Sequence, residues 1–257
     1  MEELMFLQTM FHYKAQHLSA LNNSFLPLLE DDSQSNLYWN CENASLESRR
    51  LENGSFLSFD YLNFQLIYQS EKSSSELSLL SSTEMDTLLW IKNLLLEDEL
   101  DGEKFQPKYS YKLPQFEAQV EKWGPTLKKT ARQLSEYRCL ASMGLSSLFE
   151  EFNHHTEIRV WPHHFDTGML VDLDNNFTKG LGLGYAIKDN ICNTPYYYCY
   201  AWSDGQIKFD NLPKLDHGKW LISKDWKGTV LPIEPELNSD KVNAFYKESA
   251  AAFLQIM

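Results

Sequence analysis

The chain has 257 residues, of which 43% are hydrophobic and 14% aromatic, and its formal net charge is −13. That length and apolar content are sufficient for a large hydrophobic core. The excess of acidic residues repels phosphate backbones and anionic lipid surfaces, so we expect neither nucleic acid nor a membrane as a partner.

The chain begins Met1-Glu2-Glu3, which lacks the positive charge of a signal peptide. The most apolar run, Leu88 to Leu96, is interrupted by Lys92 and Asn93 and is too short to span a membrane. We therefore expect a soluble, cytoplasmic protein. The chain has four cysteines: Cys41, Cys139, Cys192 and Cys199. No pair of them has the two-residue spacing of a zinc or redox motif, so we expect reduced thiols.

The first part of the chain combines a helix with strands. Apolar residues at helical spacing predict an N-terminal helix that ends before Pro27. From Leu37 to Leu80 the apolar period approaches two, which is typical of antiparallel strands, and Asn53-Gly54 favours a hairpin turn. Thr83, with Asp86 three residues later, predicts the start of a second helix.

A charged connection from about Glu97 to Pro114 follows, and then a long helix to about Asn153 in which Pro125 occupies the first turn. The remaining chain returns to strands and closes with a helix that begins near Ser239. The expected strands are Glu157 to Leu173, Gly182 to Ile187, Tyr196 to Trp202, Gln206 to Phe209, Trp220 to Ser223 and Gly228 to Ile233.

This order of elements is not a strict alternation of strand and helix. It favours an α+β fold of mostly antiparallel sheets packed with helices over a doubly wound parallel sheet. We expect a single integrated domain over residues 1–257. This domain could consist of two similar lobes, 1–112 and 113–257.

The segment Trp161-Pro162-His163-His164-Phe165-Asp166 lies in a region where four of the seven histidines fall within eleven positions. If its backbone is extended, His164 and Asp166 point to one face of a strand. His163, His164 and Asp166 are then candidate ligands of a divalent transition metal. The set could be completed by one of three residues: His155, Glu157 or His217.

Two other interpretations of this segment stay open. His164 and Asp166 could act as a general acid-base pair. Alternatively, the histidines could be structural and bonded to the backbone, with Asp166 holding a turn or an arginine.

A second segment places four aromatic residues on one face of a predicted strand: Tyr196, Tyr198, Tyr200 and Trp202. Such a row can bind a sugar ring or another planar ligand, or it can belong to the core. The glycines of Gly180-Leu181-Gly182-Leu183-Gly184 also share one face, which could receive the aromatic rings of a neighbouring strand. Two further histidines, His12 and His17, are expected to be surface or packing residues.

Several of these motifs, in combination, resemble a widespread bacterial family catalogued as a domain of unknown function. The resemblance covers Pro162 to Asp166 and the glycine-rich strand. It also covers the tyrosine strand, through Pro195, Tyr196, Tyr198 and Tyr200. A Trp-x-Gly pattern and a Leu-Pro pattern follow, at Trp226 and Gly228 and at Leu231 and Pro232. Thr194 stands where the family has an acidic residue. The resemblance implies one integrated fold and no established activity.

Two functions follow as hypotheses. One is a protein that binds a small molecule or a divalent metal in a cleft lined by His, Asp and Tyr residues. The other is a non-catalytic structural or interaction protein whose histidines and tyrosines are packing residues. No complete nucleophile elbow, phosphate-binding loop or kinase motif is present in the sequence.

Overall fold

The computed structural model describes residues 2–109, 111–113 and 124–257. These residues form an α+β fold with two antiparallel sheets, which confirms the expected fold class. The chain divides into two compact units, Met1–Glu136 with Val160–His163, and Tyr137–Arg159 with His164–Met257. The lobe boundary expected at residues 112 and 113 stays a prediction, since residues 114–123 lie outside the described part.

The first unit contains an N-terminal helix, a meander of strands and a second helix. Helix α1 packs against strand β3, where the Phe11 ring lies 5.0 Å from that of Phe59 and 4.0 Å from that of Tyr61. The strands pair in chain order, each antiparallel to the next. The elements are α1 (Glu2–Phe25), β1 (Tyr38–Asn40), β2 (Ser45–Glu47), β3 (Phe56–Asp60), β4 (Gln65–Gln69), β5 (Ser74–Ser78) and α2 (Glu84–Glu97).

Two local signals of the sequence are confirmed in this unit. Gly54 has a φ of 80° in the turn between β2 and β3, a conformation that glycine adopts without strain. At the start of α2, the Thr83 hydroxyl accepts from the Asp86 N–H while the Asp86 carboxylate accepts from the Thr83 N–H, which is a complete capping box.

The rest of the chain forms a six-stranded antiparallel sheet in the order β10-β11-β9-β8-β7-β6 and two helices. Helix α4 packs against β9 and β11, and its Tyr246 ring meets that of Tyr197 edge to face at 6.1 Å. The elements are α3 (Lys128–Ser146), β6 (Arg159–Trp161), β7 (Asp166–Asp172), β8 (Lys179–Ala186), β9 (Tyr196–Ser203), β10 (Lys219–Ile222), β11 (Lys227–Pro232) and α4 (Ser239–Ile256).

The segment that was expected to be one extended strand, Glu157 to Leu173, is instead two strands joined by a turn over residues 162–165. Phe165 has a φ of 59°, outside the range of a strand. The buried Arg138 holds it there, because its guanidinium donates a 2.9 Å hydrogen bond to the Phe165 carbonyl and lies 4.2 Å from the ring centroid. A second bond, 2.7 Å long, joins Arg138 to the Thr167 hydroxyl.

Three smaller expectations are also corrected. Helix α3 ends at Ser146 instead of near Asn153. Residues 206–209 form no strand, and the Lys208 N–H bonds to the carbonyl of Ile256 at the end of α4. Among the cysteines, Cys192 and Cys199 are free thiols as expected, whereas Cys41 and Cys139 are disulfide-bonded. No helix in the described part of the chain has the length and apolar character needed to cross a membrane.

Candidate functional site

Alternate residues of β9 form a continuous row of aromatic side chains on one face of the second sheet. We call this row the aromatic face; it consists of Tyr196, Tyr198, Tyr200 and Trp202. Three of its residues stand directly opposite glycines of β8. The pairs are Tyr198 with Gly184, Tyr200 with Gly182 and Trp202 with Gly180.

The rings of the aromatic face occupy the space that side chains on β8 would otherwise fill. A Cβ atom at Gly182 would lie 2.3 Å from the ring of Tyr200, and one at Gly180 would lie 2.2 Å from the ring of Trp202. Both distances are far below van der Waals contact, so any larger residue would displace the rings. The predicted packing of aromatic rings on the glycine strand is therefore confirmed.

Three rings of the aromatic face run side by side along the strand. The ring centroids of Tyr198 and Tyr200 are 6.1 Å apart with 23° between their planes, and those of Tyr200 and Trp202 are 6.2 Å apart at 45°. All three residues are half-buried, and Tyr198 also packs against a buried cluster that includes Tyr196. The Trp202 indole donates a 2.9 Å hydrogen bond to the Phe177 carbonyl, which fixes its orientation.

One end of the row is closed. Tyr196 is buried, and its hydroxyl donates a 2.9 Å hydrogen bond to Oδ2 of Asp189. The other oxygen of Asp189 accepts hydrogen bonds from the backbone of Ile191 and Cys192, which folds this loop over Tyr196. Tyr196 therefore belongs to a buried cluster and is not available to a ligand, in contrast to the sequence prediction.

The opposite face of β9 is core. Tyr197 and Cys199 are fully buried, and the Tyr197 hydroxyl donates a 3.1 Å hydrogen bond to the Tyr137 carbonyl. Burial raises the pKa of the Tyr197 hydroxyl well above its usual value. The two interpretations of the tyrosine strand thus apply to different faces, one of which is core and the other partly open.

A carboxylate lies beside the aromatic face. Asp166 is the first residue of β7, and its Oδ2 accepts a 2.6 Å hydrogen bond from the Tyr198 hydroxyl. Its second oxygen, Oδ1, is buried without a hydrogen-bond partner among the described residues. Asp166 also forms no ion pair within that part of the chain, so its carboxylate lies next to the rings with the Tyr198 hydroxyl as its side-chain partner.

The hydroxyls of the row differ in their surroundings. Burial, together with the charge and hydrogen bond of Asp166, raises the pKa of Tyr198 well above its usual value. Burial and the charge of Asp166 also raise the pKa of Tyr200. Within the described residues, no group forms a hydrogen bond with the Tyr200 hydroxyl, which can therefore donate to or accept from a bound molecule.

The two histidines of the predicted metal site lie in the turn and not on a strand with Asp166. His163 belongs to the first unit, where its ring lies 5.7 Å from that of Tyr111 and 5.9 Å from that of Trp161. His164 is exposed in the turn. Asp166 takes its hydrogen bond from Tyr198 and not from His164, so the acid-base pair expected from an extended backbone is not formed.

The three residues considered as further metal ligands have other contacts. The His155 ring stacks on Phe149 at 4.1 Å, Glu157 pairs with Arg159, and Nδ1 of His217 lies 2.6 Å from Glu248. Across residues 2–109, 111–113 and 124–257, no group of three or more His, Cys, Asp or Glu side chains is arranged to hold a metal ion. The geometry therefore favours the aromatic face over a metal centre as the candidate site.

The first unit contains an ionic cluster that the sequence did not indicate. Both oxygens of Glu84, in the first turn of α2, bind side chains of α1: Oε2 lies 2.9 Å from Nζ of Lys14 and Oε1 lies 2.7 Å from Nε2 of His17. Although burial raises the pKa of Glu84, the hydrogen bond and charge of His17 and the charge of Lys14 lower it to about 2. His17 is 67 residues from Glu84, so no local pattern could have shown this contact.

His12 and His17 are thus both buried, and each has a polar role. Nε2 of His12 lies 2.7 Å from the Pro162 carbonyl, which also accepts a hydrogen bond from the Gln16 amide. Since both oxygens of the Glu84 carboxylate are bound by side chains of α1, Lys14 and His17, we interpret the cluster as a connection between α1 and α2.

Comparison of the chain with protein-family models, with curated proteins and with solved structures found no significant match. The resemblance of the His-His and tyrosine motifs to a bacterial family therefore stays a prediction.

Proposed function

We propose that the second unit binds a small, uncharged, hydroxyl-rich ring, of the sugar class, on the aromatic face. The observation that supports the proposal most directly is the row of three half-buried rings, Tyr198, Tyr200 and Trp202, aligned on a glycine strand. The neighbouring rings of Tyr196 and Tyr197, by contrast, are fully enclosed.

A sugar matches both features of this row. Its C–H face can lie on an aromatic ring, and its hydroxyls can exchange hydrogen bonds with polar groups at the edge of that ring. The Tyr200 hydroxyl, which has no hydrogen-bond partner in the described residues, supplies such a group. The small angle of 23° between the planes of Tyr198 and Tyr200 favours a flat ligand over a spherical one.

The charge of the site separates neutral ligands from anionic ones. Asp166 forms no ion pair among the described residues, and the whole chain carries a net charge of −13, so phosphorylated sugars and nucleotides would be repelled. Because Oδ1 of Asp166 is buried, we assign this residue a positioning role, in which it holds the Tyr198 ring through the hydroxyl.

Isothermal titration calorimetry with glucose, N-acetylglucosamine, cellohexaose and chitohexaose tests the proposal. We expect saturable binding of at least one of these neutral probes, with at least about tenfold weaker affinity in Trp202→Ala and Tyr200→Ala, equivalent to about 1.4 kcal/mol. Phe209→Ala is the matched control, because Phe209 is another half-buried aromatic residue of the same unit that lies outside the aromatic face.

Two results would contradict the proposal. One is the absence of binding for all four sugars in a protein whose aromatic residues are folded as described. The other is an equal loss of affinity in Phe209→Ala. If the protein bound tetramethylammonium and none of the four sugars, the aromatic face would be assigned to cations instead, since aromatic rings beside a carboxylate also suit a cation.

A further inference from the structure

Helix α2 is apolar on two opposite faces. One face is buried in the first unit and consists of Thr87, Ile91, Leu94 and Leu95. The other is exposed: Met85, Leu89 and Leu96 are 63%, 51% and 56% accessible. At about 100° per residue, these three residues fall within roughly 40° of one another on the helix surface, on the side away from Ile91 and Leu94. We call them the α2 stripe.

A surface helix of a folded protein normally has one apolar face, and the other is polar. Scattered exposed leucines are common, but the residues of the α2 stripe are aligned and spaced by four and seven positions, as in the seam of two packed helices. Lys92 lies on the same line, and its charge is drawn towards Glu103, with Nζ 2.9 Å from Oε2. Its hydrocarbon stem can then extend the apolar surface.

The surroundings of the stripe are acidic. Between residues 84 and 103 the sequence contains seven acidic residues and a single lysine. Three of the seven form ion pairs with lysines, namely Glu84, Glu99 and Glu103, and Asp98 is buried. The exposed acidic residues of this segment without an ion pair in the described part of the chain are Asp86, Glu97 and Asp101. Asp86 and Glu97 are exposed on α2 itself. This distribution opposes contact with a second copy of the chain or with an anionic lipid surface, because either would bring like charges together. It favours a partner that carries positive charge beside its apolar residues.

We propose that the α2 stripe is a docking site for a basic amphipathic helix of another protein. Apolar residues of that helix would pack on Met85, Leu89 and Leu96, and its lysines or arginines would face the acidic residues around them. This inference is independent of ligand binding by the second unit, since it rests on a different element and on different residues.

The test measures binding of a synthetic three-heptad peptide with Leu at positions a and d and Lys at positions e and g, by fluorescence anisotropy. The stripe variant replaces Met85, Leu89 and Leu96 with Gln. The matched control variant replaces Met143, Ile222 and Leu254 with Gln. These three native residues are also exposed, at 55%, 43% and 45%. A second control peptide has Glu in place of every Lys.

We expect the stripe variant to bind the Lys peptide at least about tenfold more weakly than wild type, while the control variant stays within about twofold. Binding should also weaken with salt, and the Glu peptide should not bind. Equal affinities of the stripe and control variants would overturn the proposal. The proposal would also be overturned if wild type formed a dimer in sedimentation experiments and the stripe variant did not, because that result would assign the α2 stripe to a second copy of the chain. A large loss of thermal stability in the stripe variant would likewise show that the face is already covered.

Discussion

The hydroxyl of Tyr198 donates a 2.6 Å hydrogen bond to the carboxylate of Asp166, 32 residues away in the sequence. This bond joins the first residue of β7 to the middle of the aromatic face on β9. It is the single hydrogen bond of the Asp166 carboxylate within the described residues. The bond therefore determines both the position of one ring and the environment of a carboxylate that forms no ion pair in the part of the chain that the structure describes.

Removal of the Tyr198 hydroxyl should destabilise the protein. In Tyr198→Phe the Asp166 carboxylate loses its one donor, and a buried acceptor left unpaired typically costs about 1–3 kcal/mol. Tyr200→Phe is the matched control, since its hydroxyl has no partner in the described residues, and should change the free energy of unfolding by less than about 0.5 kcal/mol. Urea unfolding of both variants measures the difference. Equal effects of the two substitutions would mean that the hydrogen bond contributes nothing.

Glycine is required where the rings rest on β8. Gly182→Ala places a Cβ atom 2.3 Å from the Tyr200 ring, so we expect a loss of roughly 1–3 kcal/mol from overpacking. Gly205→Ala should be almost neutral, because its nearest contact would be the Ser203 hydroxyl at 3.4 Å. In a Tyr200→Ala background the same change at Gly182 should be better tolerated. A Gly182→Ala protein as stable as wild type would be incompatible with the described packing.

The ionic cluster of the first unit predicts a dependence of stability on pH. The pKa of Glu84 is about 2 in the folded protein against an ordinary value of 4.5, so the folded state favours the charged carboxylate. Its contribution to stability is complete above pH 4.5 and is lost as the pH falls from 4.5 towards 2. Other carboxylates titrate in the same range, and the comparison must therefore be made with a variant.

Glu84→Gln isolates this contribution. We expect the difference in unfolding free energy between wild type and Glu84→Gln to be largest at neutral pH and to shrink between pH 4.5 and 2, as urea titrations at a series of pH values would show. Asp86→Asn is unsuitable as a control because Asp86 belongs to the capping box. Glu76→Gln, an exposed carboxylate of β5, is suitable. A difference that does not vary with pH would contradict the assigned ion pairs.

Arg138 should be essential for the turn that precedes β7. In Arg138→Met the Phe165 carbonyl and the Thr167 hydroxyl lose their buried donor, which should destabilise the protein by roughly 3 kcal/mol. Arg132→Met removes the same charge from an exposed position of α3 and should have little effect. Thermal unfolding of the two variants provides the comparison. Similar midpoints would indicate that Phe165 keeps its conformation without Arg138.

The sequence was most informative where the determinant of structure is local. The capping box at Thr83, the turn at Gly54 and the strand period of β8 and β9 all follow from residues within a few positions of each other. The turn at residues 162–165 was missed because a distant arginine, Arg138, stabilises a backbone conformation that the local sequence does not require. An extended backbone was the simpler expectation and was wrong.

The same distinction applies to the candidate site. Alternation along β9 correctly placed Tyr198, Tyr200 and Trp202 on one face, and alternation along β8 correctly gave that face glycine partners. The burial of Tyr196 could not be predicted, because it depends on how the loop around Asp189 folds back. Asp166 was recognised as a candidate, but its partner was expected to be a neighbouring histidine instead of a tyrosine from another strand.

The most direct test of ligand binding by the aromatic face is the indole N–H signal of Trp202 in a two-dimensional ¹H–¹⁵N spectrum during titration with chitohexaose or cellohexaose. We expect this signal to shift and saturate, while the indole signals of Trp39 and Trp90, which lie in the first unit, stay in place. Assignment by Trp202→Phe identifies the signal. A Trp202 indole that does not move while either sugar binds elsewhere on the protein, or that does not move at any sugar concentration, would contradict the proposed site.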